Sequence, residues 1–425
     1  MRRILIAFFT VIIMGFGAIT LALPGNAAGS ESSRIAGQIM VKFRDHGAAA
    51  GVLRQHGLSE GAGIGSTGAQ LIKVPAGKEL QLIEALSRNP AVEYAEPDEV
   101  VTAATDDQYF PQQYALQNVG QSLTSTAGTL LAADGKADAD VDAVEAWKVT
   151  TGDGTKVAIL DTGVANVHDD IASQVVGYAN FVSADTKEDP KANPEDKYGH
   201  GTHVAGIVAA KYNNKIGVAG VCPDCSILDV KVLNDSGSGS SSVIANGISW
   251  AADNGANIIN MSLGQRVSSR TLEAAVNYAW NKGVVIVAAA GNAGTQAKIY
   301  PGAYPNVIAV AATDNKDNKA SFSTYGKWVD VAAPGVNVYS TFPNHEFLLG
   351  TQNGRSMGYD VASGTSMASP VVAGVAALVW ASQASPDKDS VRAKIESTAD
   401  PIPGTGTNWA RGRVNACKAV AGTCP

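Results

Sequence analysis

Short, continuous apolar runs separated by helix-like stretches organise most of this chain. Val157–Leu160, Ser226–Val230, Ile258–Ser262, Val284–Ala288 and Val307–Val310 predict strands buried on both faces, as in a parallel sheet. Between them, Val204–Ala210, Val243–Asn254 and Leu272–Asn281 predict helices. From about Tyr109 onward this alternation predicts a doubly wound α/β domain, whose functional groups gather at the carboxyl ends of its strands. The Gly/Ser run Asp235–Ser242 is expected to be a flexible loop.

A different rhythm occupies the region from about Arg34 to Val101. Gln38–Phe43 alternates like a strand, Ala48–His56 predicts a helix closed by Gly57, and Gln70–Val74 is a second strand. Glu79–Ser87 carries Leu80, Ile83 and Leu86 at helical spacing, and Val92–Pro97 is a third strand stopped by proline. The order β-α-β-α-β predicts a small ferredoxin-like α+β sandwich. Thr102–Asp107, polar and small, then links it to the α/β domain.

The first residues read as an export signal. Met1-Arg2-Arg3 is a positive start, Ile4–Leu23 is almost wholly apolar, and Pro24-Gly25-Asn26-Ala27-Ala28 offers small residues for cleavage. An uncleaved anchor is the rival reading, since the apolar run can span a bilayer. The proline and small residues that follow favour cleavage near Ala27 or Ala28. The chain is thus expected to divide into a signal peptide (1–28), an N-terminal unit (34–102) and an α/β domain (105–425).

Composition narrows the classes. With 45% hydrophobic and 17% charged residues among 425, the chain is globular and long enough for two cores. A net charge of −7 with no basic cluster argues against nucleic acid, and no membrane association is expected once the signal is gone. Four cysteines, Cys222, Cys225, Cys417 and Cys424, fit two short-range disulfides in an exported chain, Cys222–Cys225 and Cys417–Cys424. A four-cysteine zinc site competes, but the second pair lies in a terminal tail without knuckle spacing. A redox role for Cys222-Pro223-Asp224-Cys225 is disfavoured because no helix pattern starts there.

Four segments place a reactive side chain just past a strand or at a helix start: Asp161 in Leu160-Asp161-Thr162-Gly163, His200 in Gly199-His200-Gly201-Thr202-His203, Asn292 in Ala290-Gly291-Asn292, and Ser366 in Gly364-Thr365-Ser366-Met367-Ala368-Ser369-Pro370. Acyl transfer needs a nucleophile, a base beside it and a group that orients the base. Serine, histidine and aspartate fill those roles, and an amide with a backbone N–H can stabilise the oxyanion. Singly, each has a bland reading: Asp161 as a turn cap, Asn292 as a turn residue, Ser366 as a helix N-cap, His200 and His203 as metal ligands. No H-E-x-x-H pattern supports a metal, and His203 reads better as a buried hydrogen-bonding residue. Gly354-Arg355-Ser356-Met357-Gly358 fits an esterase pattern, yet none of the six histidines follows Ser356, as that fold requires.

The segments Asp-Thr-Gly, His-Gly-Thr-His-Val-Ala-Gly and Gly-Thr-Ser-Met-Ala-Ser-Pro, in the order Asp…His…Ser, resemble the signatures of the subtilase family of serine proteases. The resemblance runs from Tyr109 to about Ala421. It is closest to the thermitase-like branch through Asn277–Gly283 and Ser321–Gly326. It implies a catalytic triad of Asp161, His200 and Ser366, with Asn292 as oxyanion donor. It also implies that Gln38–Val101 is a propeptide, both folding aid and inhibitor, removed by the enzyme itself. Substrate would add as a strand between Ser262-Leu263-Gly264 and Ser238-Gly239-Ser240, giving broad specificity for protein and peptide substrates. Ile299 falls where the family lines the base of the P1 pocket, implying small or medium apolar P1 residues.

The resemblance further implies a calcium site with carboxylates from Asp107 and Asp170, the Asn214 amide, and the carbonyls of Lys211, Ile216 and Val218. An ordinary surface turn at Tyr212–Lys215 is the alternative. A second calcium loop is poorly matched at Asn180, and a weak third cation is placed near Gly302, Tyr304 and Asp330. The expected product is a secreted, monomeric endopeptidase. A subtilase dedicated to one processing site and a catalytically silent binding protein are the rivals.

Overall fold

The computed structural model describes residues 34–99, 106–182 and 194–424. The expected signal segment and most of the linker lie outside them. The chain divides into two units, at residues 1–100 and 101–425.

In the first unit, alternation in the opening strand decides what is buried. The elements are β1 (Arg34–Phe43), α1 (His46–Gln55), β2 (Ala62–Gly63), β3 (Ala69–Lys73), α2 (Glu79–Ser87) and β4 (Val92–Glu99). Ile39, Val41 and Phe43 point one way and meet Leu53 of α1, Ile72 of β3 and Leu86 of α2 in a single core. Asp45 caps α1 by accepting the Gly47 backbone N–H. The antiparallel sheet has the order β2-β3-β1-β4. The expected elements are present. The two-residue β2 escapes a pattern search because Ala62–Gly63 carries no alternation.

The second unit opens with a small hairpin, β5 (Leu123–Thr124) and β6 (Leu130–Ala132), and the short α3 (Ala143–Trp147). Seven strands then form one parallel sheet: β7 (Lys156–Asp161), β8 (Val175–Asn180), β9 (Ser226–Lys231), β10 (Ile258–Met261), β11 (Val285–Ala289), β12 (Ile308–Thr313) and β13 (Val331–Pro334). Their order is β13-β12-β11-β10-β7-β9-β8. A second hairpin, β14 (Val338–Thr341) and β15 (Tyr359–Ala362), follows. The helices are α4 (His200–Ala209), α5 (Ser241–Asp253), α6 (Arg270–Asn281), α7 (Leu348–Asn353), α8 (Thr365–Ala381), α9 (Lys388–Ser397) and α10 (Ala416–Ala421).

Period-two side chains send each strand into both cores. Val157, Ile159, Ile258, Val285 and Val287 pack on one face with α4 and α8. Ala158, Leu160, Ile259, Met261 and Ile286 pack on the other with α5 and α6. Helix α8 is buried nearly all round, as its unbroken apolar composition requires. No helix among the described residues is long and apolar enough to cross a membrane. Both disulfides form as the spacings suggest, Cys222–Cys225 and Cys417–Cys424, which leaves no thiolates for zinc.

The chain starts the sheet at β7, winds out to β8, returns through β9, and then crosses β7 to build β10–β13. That reversal leaves a crevice beyond the carboxyl ends of β7, β9 and β10. The suggested third cation position already has a positive charge. Asp330 pairs with Arg392 at 3.1 Å, and the same guanidinium donates to the Pro305 carbonyl.

Candidate active site

Asp161 is the last residue of β7 and is fully buried. Its Oδ1 accepts the Thr162 backbone N–H at 2.8 Å and the Nδ1–H of His200 at 2.7 Å. Oδ2 is buried without a hydrogen-bond partner among the described residues. His200 begins α4 after Gly199, whose φ of +100° suits glycine. The next residue must be glycine for space: a Cβ on Gly201 would lie 2.1 Å from the Gly163 carbonyl oxygen.

One buried carboxylate, Asp196, assembles this corner. Its Oδ1 accepts from the Thr162 hydroxyl and from the Tyr198 and Gly199 backbone N–H groups. Its Oδ2 accepts from the Thr202 N–H and hydroxyl. The Asp161 turn and the first turn of α4 are thus tied to one side chain. Lys231, fully buried, adds bonds to the Thr162 carbonyl at 2.6 Å and to Asp235 at 2.9 Å.

For His200, burial opposes the charged form. The charge and hydrogen bond of Asp161, with Asp196 beyond, outweigh it and leave the imidazole above the ordinary histidine value. His203 is the opposite case. Fully buried, with Phe342 beside its ring at 4.7 Å, it is pushed down to about 3 and stays neutral. It is packed in the core, with Nε2 3.3 Å from the Asp360 carbonyl oxygen.

Ser366 lies in the first turn of α8. Pro370, four residues on, has no N–H to bond the Ser366 carbonyl, and that carbonyl accepts the Ser262 hydroxyl at 2.8 Å instead. The Ser366 hydroxyl in turn donates to the Ser262 carbonyl at 3.2 Å. Ser262 is itself fixed by Asn260, whose amide donates to its hydroxyl and accepts from Ser369. Asn292 uses Oδ1 to accept the Thr365 N–H and hydroxyl, both at 2.9 Å, so its Nδ2 faces away from them. A Cβ built on Gly364 would lie 3.4 Å from that Nδ2 and 3.6 Å from the Ser366 N, so the two donors flank one spot. His200, Asn292 and Ser366 line a common cavity of about 210 Å³.

Two further hollows continue from it. One, of about 340 Å³, has Ser238 and Gly239 on one wall and Ser262, Leu263 and Gly264 on the other. Ser240 faces a different task, capping α5 through the Val243 N–H. The second, of about 470 Å³, is lined by Gly264, Asn292, Ile299 and Ser366. Ile299 is packed tightly there: a Cβ on Gly264 would lie 2.4 Å from its Cγ2.

The subtilase family model matches residues 152–417, more than half of the chain. This chain belongs to the subtilase family. A second match, to the fervidolysin N-terminal prodomain, covers residues 24–98. Thermitase of Thermoactinomyces vulgaris is 54% identical over 280 residues, 66% of this chain and 93% of thermitase. A thermophilic serine proteinase of Bacillus sp. (strain AK1) is 40% identical over 402 residues, 93% of this chain and 90% of its own length. Among solved structures, a protease from Pseudoalteromonas arctica aligns with a TM-score of 0.65 at 31% identity, covering 75% of this chain and 99% of that one. The subtilase is therefore a serine endopeptidase with an N-terminal prodomain.

The loop expected to hold calcium brings its side chains together in this subtilase. Asp107 accepts the Asn213 and Asn214 backbone N–H groups, while Asp170 accepts the Val218 N–H and the Asn214 amide at 2.7 Å. Burial, with Asp107 nearby, pushes Asp170 up to about 6. Among the described residues, the carbonyls of Lys211, Ile216 and Val218 accept no hydrogen bond, whereas that of Gly217 accepts from Tyr109. Two buried carboxylates and three uncommitted carbonyls form an oxygen-rich set that fits a hard cation.

Motif reading missed Asp196, Lys231 and Asp229. Asp229 sits mid-strand in β9, fully buried, with Oδ2 on the Val164 N–H and Oδ1 without a partner among the described residues. Burial raises it well above the usual carboxylate range. A polar residue inside an apolar run was the available signal. The esterase-like Ser356 is turned to other work, sharing a hydrogen bond with the Thr126 hydroxyl at 3.1 Å.

Proposed function

We propose that this subtilase cuts peptide bonds through an acyl-enzyme on Ser366. His200 takes the hydroxyl proton and returns it to the leaving amine, while Asp161 holds the imidazole tautomer and balances its charge. Asn292 Nδ2 and the Ser366 N–H receive the oxyanion, aided by the positive end of α8. The reading is carried by one observation: the His200 Nδ1–Asp161 Oδ1 bond of 2.7 Å beside a cavity that His200 shares with Ser366. The Ser366 hydroxyl rests on Ser262 rather than on the imidazole, a looseness common before substrate binds.

Extended substrate pairs with the two walls at Ser238–Ser240 and Ser262–Gly264, which favours broad sequence tolerance. Ile299 makes the P1 pocket shallow and selects small or medium apolar side chains. The protein is exported by residues 1–28, carries its prodomain at 34–102, and releases the monomeric peptidase domain 105–425 by cutting itself. Asp107, Asp170, Asn214 and the carbonyls of Lys211, Ile216 and Val218 would hold Ca²⁺, which would supply the charge that a loop with two buried carboxylates lacks. A serine-directed phosphonate is expected to label the mature enzyme and to leave Ser366→Ala unlabelled. N-terminal sequencing of the secreted product should show the prodomain removed in the wild type and retained in that variant. Labelling that survives the substitution would overturn the assignment.

A further inference from the structure

The cavity that contains His200, Asn292 and Ser366 extends beyond them to Leu349, Asn353 and Arg355. It includes no residue of the two segments, Ser238–Ser240 and Ser262–Gly264, that line the neighbouring hollow. A peptide bond placed over Ser366, with its acyl side paired along Ser262–Gly264, must send its amine side the other way. That direction leads into this cavity.

The outer wall is the connection between β14 and β15, residues 342–358, which carries α7. Arg355 follows Gly354, the left-handed residue that closes α7. Its side chain is half-buried and makes no ion pair or hydrogen bond among the described residues. Among the described residues no carboxylate lines the cavity, and its other titratable groups are His200 and Tyr198. Asp360, in β15 just after this connection, is committed to the Ser356 and Val361 backbone N–H groups. Arg355 thus presents an uncompensated guanidinium, partly shielded from water, where the leaving half of a substrate must pass. A guanidinium so placed recognises carboxylates by charge-assisted, bidentate bonds.

We propose that Arg355 is a specificity-determining residue that selects a carboxylate on the leaving-group side of the cut bond, at P1′ or P2′. The carboxylate can be an Asp or Glu side chain or the free C-terminus of a short leaving fragment. The chain's own expected junction fits, since Asp106 and Asp107 follow directly after Thr105. The inference rests on the assignment of Ser366, His200 and Asn292 given above.

The test uses the mature enzyme and matched peptides that share one acyl half and vary P1′ and P2′ among Asp, Ala and Lys. Each is made with an amidated and a free C-terminus, which separates side-chain from terminal carboxylates. Wild type is expected to favour Asp over Lys by about tenfold in kcat/KM at one position, the size of one charge-assisted bond in a partly solvated site. A free terminus preferred over its amide supports the same site with the other source. The ratio should shrink with added salt. Arg355→Gln should bring it near one, Arg355→Lys should restore part of it, and Arg355→Glu should reverse the order. Equal rates across the series in wild type, or a preference unchanged in Arg355→Gln, overturn the inference. A wild-type chain that cuts none of the peptides sinks the active-site assignment, and this inference with it.

Discussion

The Nδ1 of His200 stands 2.7 Å from the Oδ1 of Asp161, and that oxygen also holds the Thr162 N–H. The imidazole is thereby fixed in one tautomer, with Nε2 left for the cavity, and its charged form is favoured over that of an ordinary histidine. With the neutral ring as the proposed base, activity is expected to rise with pH through a midpoint above the ordinary histidine value. Asp161→Asn should lower kcat by about 10⁴ and shift that midpoint down. A pH–rate profile of both proteins checks this; an unmoved midpoint in the variant would contradict it.

Asn292 is anchored by its oxygen to Thr365, which aims its N–H groups into the cleft. Asn292→Ala is expected to reduce kcat by about 10²–10³, the magnitude known for such a donor in subtilisin, with KM little changed. A loss expressed mainly in KM would assign the residue to ground-state binding instead.

Ile299 lines the hollow beside Ser366, where it is proposed to form the floor of the P1 pocket. Ile299→Gly should open it, raising kcat/KM for Phe at P1 by about tenfold relative to Ala, the worth of one or two accommodated methylenes. A peptide series varied only at P1 reads the ratio. An unchanged order would place the pocket floor elsewhere.

Metal removal should act on stability. In inactive Ser366→Ala, calcium at about 100 times its Kd is expected to add roughly 2.7 kcal/mol, visible as a raised Tm that a chelator abolishes. Asp107→Asn with Asp170→Asn should remove the calcium-dependent increment. Equal Tm values with calcium and chelator would show that the loop is only a turn.

Asp229 supplies a pH test of the core. Burial raises its folded-state pKa above the unfolded value, so the folded chain keeps a proton that the unfolded chain releases. Stability from this group is complete below the unfolded pKa and is lost as pH rises through the folded one. Asp229→Asn stays neutral throughout, and should be more stable than wild type in alkaline buffer by about 1 kcal/mol. The gap should close as pH falls. Denaturant unfolding in the Ser366→Ala background, at several pH values, measures the difference.

Much of this architecture is legible in the chain because burial on both faces writes itself as continuous apolar runs. β7, β9, β10, β11 and β12 were all visible in that way. β8 was not, because it is an edge strand with Val176 and Tyr178 exposed, which breaks the run. β13 and the β14–β15 hairpin read Val-Ala-Ala-Pro, Val-Tyr-Ser-Thr and Tyr-Asp-Val-Ala, without the run of large apolar residues that marks β10 at the same length. The proposed reactive residues could be singled out because their neighbours are sterically dictated: Gly201 by the close Gly163 carbonyl, Pro370 by the freed Ser366 carbonyl. Asp196 and Lys231 were invisible, since a buried polar anchor is defined by partners distant in sequence. Arg355 was seen only as part of a false esterase motif. Its meaning depends on where the hairpin places it.

Pro370 has an effect that reaches past its own helix. By leaving a carbonyl free it lets the Ser262 hydroxyl bond Ser366, and the Ser366 hydroxyl, the proposed nucleophile, rests in turn on the Ser262 carbonyl, on the wall proposed to pair with substrate. A peptide strand that claims the Ser262 carbonyl evicts that hydroxyl toward the imidazole. A peptide-bound structure with Ser366 still seated on Ser262 would rule this out. Otherwise the enzyme is armed by its own cargo, and an empty cleft keeps its weapon holstered.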